Sequence, residues 1–205
     1  SGRVMAGLVR QALEFRVVTP TFLGGARPRE RDDARIYVRP IVAQWRWWFR
    51  ALGGGFLGTT PEALEKLRAA EQAVFGGIHE SGQARAGPMQ FRVRLTEQDL
   101  KQPEQNVTQR DPILGYLGCG LGATRREAAR WGIPPDSRFW LEGIASEPVW
   151  KILEFINYFW ANFGGLGARH RRGGGSIEWV DASRNPAAQD GRLAAERLKC
   201  FKVAL

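Results

Sequence analysis

Cysteine, histidine and lysine are scarce in this chain, at 2, 2 and 5 residues out of 205. Cys119 and Cys200 lie far apart and fit neither a zinc-ligand spacing nor a disulfide framework, so reduced thiols of an intracellular protein are expected. Long apolar runs are missing too. The most apolar helix candidate, Val149 to Phe163, is interrupted by Lys151, Glu154, Asn157 and Asn162, which excludes a membrane span. Ser1 to Arg10 lacks the apolar stretch of a signal peptide. These absences lead to the expectation of a soluble, cytoplasmic protein with no membrane partner. The 43% hydrophobic content is enough to bury a core in one large domain or two small ones.

Scarce lysine does not mean scarce positive charge. Arginine supplies 25 residues, and the formal net charge is +9. A guanidinium is a planar fork that meets a phosphate at two points, so this excess suits contact with nucleic acid. A GC-rich coding sequence gives the same bias without any ligand, so charge alone is a footprint and not a proof.

Leu13 to Val18 alternates and then turns β-branched, the pattern of a strand, and ends at Thr19-Pro20. A loop runs on through Gly24-Gly25 and Pro28, and Ile36 to Arg39 reads as extended chain. Pro40 suits the first position of a helix in which Ile41, Trp45, Trp48 and Leu52 form one apolar stripe, with Gly53 to Gly55 as the stop. Thr59 and Glu62 have capping-box spacing ahead of a second helix that ends at Gly76-Gly77. Gln90 to Leu95 reads as a strand and Lys101 to Arg110 as a polar loop. Thr124 and Glu127 open a short helix to Trp131, and Phe139 to Ile144 is a further strand. Ser146 caps the longest helix, whose stripe is Val149, Ile152, Leu153, Ile156, Phe159, Trp160 and Phe163. After a glycine-rich loop come a strand at Ser176 to Val180, a helix at Arg192 to Cys200, and a strand start at Phe201 to Leu205. Without its insertions the order is β-α-β-β-α-β, the split-βαβ, ferredoxin-like (RRM-like) α+β plan, with helices on one face of an antiparallel sheet.

Two constellations carry possible chemistry. Gly164 to Gly175 is half glycine and holds Arg169, His170, Arg171 and Arg172 with no acid. Gly165, Gly167 and Gly173 let backbone approach a phosphate and turn N–H groups inward, while the cations supply charge. It is neither a Walker A loop nor a dinucleotide fingerprint, because it leaves a helix instead of opening one. A solvated loop is the plainer reading, and an RNA backbone clamp the preferred one. In the helix around WRWWFR, Arg46 and Arg50 stand four apart, off the apolar stripe, where they can grip neighbouring phosphates. Trp47 is expected to pack against the sheet, with stacking on a base as its alternative.

Thr19-Pro20-Thr21-Phe22-Leu23-Gly24-Gly25-Ala26, the helix segment Gln44 to Leu52, and Val74-Phe75-Gly76-Gly77 together resemble the first RAMP subunit of type III-B CRISPR Cmr effector complexes. Gly115-Tyr116-Leu117-Gly118 and Gly164 to Gly175 are similar to later motifs of the same family. The resemblance covers most of the chain. It implies a RAMP fold and a noncatalytic subunit near the end of the complex, holding the 3′ part of the guide RNA beside other RAMP subunits. Target single-stranded RNA is a second candidate partner. No cofactor or metal is implied. Members of the family are often longer, with two ferredoxin-like halves. A single RAMP domain with insertions over residues 1–205 is therefore expected here, either one half with embellishments or a compact form.

Two catalytic readings compete with this. His170 among arginines can act as a general base at a phosphate, whereas His79 has no recognisable partner. Asp32-Asp33 lies in the loop after the first strand, where backbone RAMP subunits carry the acid that cuts target RNA. Arg29, Arg31 and Arg35 around the pair make a salt-bridged charge run the plainer account.

Overall fold

The structure, a computed structural model, describes residues 7–23, 27, 29–78, 84–87, 90–94, 101–105, 121–123, 128–180 and 191–205. Gly24 to Ala26, His79, Asn106 to Arg110, Gly115 to Gly118, Cys119 and the helix start at Thr124 to Glu127 lie outside those residues.

The first strand, β1 (Leu8–Val17), places Leu13, Phe15 and Val17 wholly inside. It begins five residues before the alternating pattern does, because β7 (Arg138–Ser146) pairs with it along its length, from Leu8 opposite Ser146 to Arg16 opposite Arg138. β4 (Gln90–Arg94) pairs with the far side of β7, and β8 (Ile177–Trp179) with the far side of β1, all antiparallel. The sheet order β4-β7-β1-β8 is that of the split-βαβ plan. Two small antiparallel pairs decorate it: β2 (Gly76–Ile78) with β3 (Ala84–Ala86), and β5 (Glu104–Gln105) with β6 (Trp131–Gly132). Residues 128–130 are not helical and Trp131 is in β6, so the short helix expected to reach Trp131 does not do so.

Helices cover one face of the sheet. α1 (Val38–Leu57) follows β1, α2 (Pro61–Phe75) packs on α1, and α3 (Glu147–Phe163) follows β7. Phe15 stacks on Phe139 at 5.3 Å and meets Trp160 edge-on at 5.3 Å; Trp160 in turn meets Trp45 edge-on at 6.4 Å. The Trp45 indole donates to Asn157 Oδ1 at 2.7 Å, so an asparagine that broke the apolar run serves as a buried partner in the core. The open face is tied by exposed ion pairs: Arg16 to Glu178 at 2.6 Å, Arg138 to Glu14 at 2.9 Å, and both Arg16 and Lys101 to Asp136.

Several local expectations are corrected. α1 starts at Val38, with Pro40 inside its first turn, where a missing N–H costs nothing. Its buried stripe is Ile41, Trp45, Phe49 and Gly53, while Trp48 and Leu52 sit on the shoulder. Phe49 is drawn inward by Phe201 at 5.2 Å and Phe75 at 5.7 Å. The glycines at 53 to 55 do not stop the helix, which runs on to Leu57. Gly53 is there for close approach, since a Cβ would lie 2.5 Å from Leu67 Cδ1. α2 is capped by Thr60, one residue later than expected, whose hydroxyl accepts from Ala63 N–H at 3.3 Å. The Glu62 carboxyl is held below its ordinary pKa by its own backbone N–H and then by Thr60. In α3, Phe163 is 67% exposed and outside the core. The last helix, α4 (Gly191–Ala204), continues through the segment expected to start a strand at Phe201. Phe201 is fully buried, and Arg197 of α4 makes a buried pair with Glu154 at 2.7 Å.

Candidate nucleic-acid interface

The glycine-rich loop is a folded unit and not a slack connector. Leu166 is fully buried, its N–H donates to Gly175 O, and the Trp160 indole donates to Gly165 O at 3.2 Å. Gly175 has φ 66°, and a Cβ there would run into the Leu166 carbonyl oxygen, so no other residue closes this turn without strain. A single 3-10 turn spans His170–Arg172.

What holds the loop is the segment just after β1. Thr19 Oγ1 donates to Gly173 O at 2.7 Å and accepts from Ser176 N–H at 2.8 Å. Gly175 N–H donates to Pro20 O, and Ala168 N–H to Phe22 O. Thr19 to Leu23 and Gly164 to Gly175, separate motifs in the sequence, are thus one piece of structure. Sequence reasoning missed Thr19 as a support; its signals were its place beside Pro20 at a strand end and at the head of the family-like motif Thr19 to Ala26. The N–H groups of Leu166, Ala168, Gly173, Gly174 and Gly175 donate to carbonyls within the protein, which takes the Gly173 N–H out of the expected phosphate cradle.

Arg171 is exposed, and His170 is half-buried with Nδ1 2.9 Å from Gly167 O. A carbonyl only accepts, so Nδ1 carries a proton and Nε2 is left for a ligand. Arg169, at φ 65°, caps the 3-10 turn and accepts Gly174 N–H on its carbonyl. The side chain of Arg172 is outside the described residues. A cavity of about 380 Å³ joins this loop to α1 and the end of α3, lined by Trp47, Trp48, Arg50, Phe163, His170 and Arg171 among others, with no carboxylate among the described residues of its lining.

Arg46 and Arg50 are less free than their spacing suggests. Both guanidiniums reach one oxygen, Glu71 Oε1 on α2, at 2.6 and 2.8 Å, and the Glu71 side chain is only 7% exposed. Arg46 also lies over the Phe75 ring at 6.0 Å and does not line the cavity. Trp47 does not pack on the sheet. It is 53% exposed and stands edge-on to Trp48 at 4.9 Å.

Comparison with known proteins now decides the family. Residues 14–178 match the model of the RAMP superfamily. The chain belongs to the RAMP superfamily. It is similar to the CRISPR system Cmr subunit Cmr1-1 of Pyrococcus furiosus, 31% identical over 84% of this chain and 48% of that protein. It is also similar to Cmr1-2 of the same organism, 25% identical over 80% of this chain and 92% of that protein. The crystal structure of apo Cmr1 from Pyrococcus furiosus superposes with a TM-score of 0.62 at 29% identity, covering 84% of this chain and 49% of the other. The chain thus spans about half the length of Cmr1-1.

In this RAMP chain the Asp33 carboxylate is committed to holding its own loop together. Asp33 accepts from Arg27 N–H at 2.7 Å and from the Tyr37 hydroxyl at 2.9 Å. That bond and partial burial hold the phenol above its ordinary pKa. Arg35 donates to Asp32 O, Arg29 to Ala128 O, and Arg31 lies over the Trp131 ring at 5.8 Å. Asp32 is exposed. Among the described residues no three His, Cys, Asp or Glu side chains converge on a metal position, and no helix is long and apolar enough to cross a membrane.

Proposed function

We propose that this RAMP protein is an RNA-binding subunit of a type III-B Cmr effector complex, holding the 3′ part of the guide RNA beside other RAMP subunits. The observation that carries the RNA reading is the convergence of Arg50, His170 and Arg171 on one cavity, beside two exposed aromatic rings and with no carboxylate among its described lining residues. Such a surface suits a single strand, whose phosphates meet the cations while its splayed bases meet the rings. Membership of the complex is supported by the likeness to Cmr1-1 and Cmr1-2, and the guide RNA is proposed with it. Copurification tests them: small RNA of uniform length and other RAMP subunits should come down with the tagged chain, and recovery of neither contradicts the proposal.

The role is binding, not cutting. Labelled RNA incubated with the chain and Mg²⁺ or Mn²⁺ is expected to stay intact. Cutting that disappears in Asp32→Ala would instead establish the chain as a backbone-type RAMP subunit that cleaves target RNA through a loop aspartate.

A further inference from the structure

We infer that the cavity between α1, the end of α3 and the glycine-rich loop is a slot for a single unstacked nucleobase, flanked by Trp47 and Phe163. This deepens the RNA-binding reading and rests on it. Three observations meet here. Trp47 and Phe163 line the same cavity and are 53% and 67% exposed, although burying such rings is strongly favourable. Both rings rest against a neighbouring ring. Trp47 stands at 89° against Trp48, and Phe163 lies tilted at 33° to Phe159, 6.1 Å away. A volume of about 380 Å³ suits one nucleotide and is far too small for a helix of paired strands, which offers no unstacked base in any case.

The lining also sets the chemistry. Arg50 and Arg171 are at hand for the phosphate that accompanies the base. The Trp48 indole N–H lies beside Gly164, covered from solvent and without a hydrogen-bond partner. A polar protein surface in place of a base would leave the rings without a flat partner, and a lipid chain would leave the cations without one. The occupant is therefore one nucleotide of a single strand, with its base against the rings and its phosphate toward the cations.

The test compares a fluorescein-labelled oligouridylate with inorganic polyphosphate, a polyanion that has no bases, on the full chain. Trp47→Ala and Phe163→Ala should each weaken oligouridylate binding roughly five- to hundredfold, the range for loss of one stacked base. They should leave polyphosphate affinity and melting temperature unchanged, and Trp47→Phe should restore most of the RNA affinity. Wild-type chain that binds polyphosphate and RNA, with both alanine variants unaltered toward RNA, overturns the slot and leaves the RNA-binding reading standing. Equal losses toward polyphosphate also overturn the slot, because the rings would then matter only for the shape of a cationic surface. Wild-type chain that binds no oligouridylate overturns the RNA-binding reading itself.

Discussion

Arg50 and Arg171 line the same cavity and look alike in the sequence, yet the fold treats them differently. Arg50 shares the nearly buried Glu71 with Arg46, so two cations of α1 are half neutralised and tied to α2. Arg171 rises from a loop that contains no acid, and what fixes it is the backbone below it. The lesson is that arginine count overstates a nucleic-acid surface. One arginine contributes to stability and lends part of its charge to the cavity; the other contributes charge and little stability.

The largest effect that would break this contrast comes from the helix side. Replacing Arg46 and Arg50 together by Met strands the Glu71 carboxylate, which should cost about 3–5 kcal/mol, the usual penalty for removing the partners of a buried charge. Thermal unfolding should then fall by roughly 10 °C in a chain of this size. An unchanged melting temperature would mean that the α1 arginines are surface cations after all. Next comes Thr19→Val, which removes a hydroxyl that donates to Gly173 O and accepts from Ser176 N–H. Leaving those groups unmet should cost about 1–3 kcal/mol and weaken RNA binding as the loop loses its seat. Loss of RNA affinity without loss of stability would show Thr19 to be a direct contact. The smallest stability effect belongs to Arg171→Ala, within about 0.5 kcal/mol by thermal unfolding, because the side chain is exposed.

These differences follow where the sequence was legible and where it was not. The order of the four main-sheet strands and of α1, α2 and α3 could be read because each carries its period in its own residues: Leu13, Phe15 and Val17 for β1, Ile152, Leu153, Ile156 and Trp160 for α3. The limits of elements were harder, because distant partners set them. β1 starts at Leu8 since β7 reaches that far, and α1 continues past Gly53 since Leu67 and Leu205 pack where a side chain would be. Choosing between Trp48 and Phe49 for the core needed the positions of Phe75 and Phe201, which no helical period contains. The site behaved similarly. Arg171 and His170 were visible as a cation and an imidazole in a loop without acids, but Glu71 as the partner of Arg46 and Arg50, and Thr19 as the loop's anchor, came only from chain segments meeting in space.

Salt dependence of single-stranded RNA binding tests the account most directly. Counterion release gives a slope of log affinity against log salt of about −0.7 for each phosphate neutralised on a single strand. The wild-type chain, with about three to five contacts, should show a slope of roughly −2 to −4, and Arg171→Ala should reduce its magnitude by about 0.7 while the protein stays folded. A wild-type slope near zero, or one that Arg171→Ala leaves unchanged, would contradict the claim that the loop cations hold RNA.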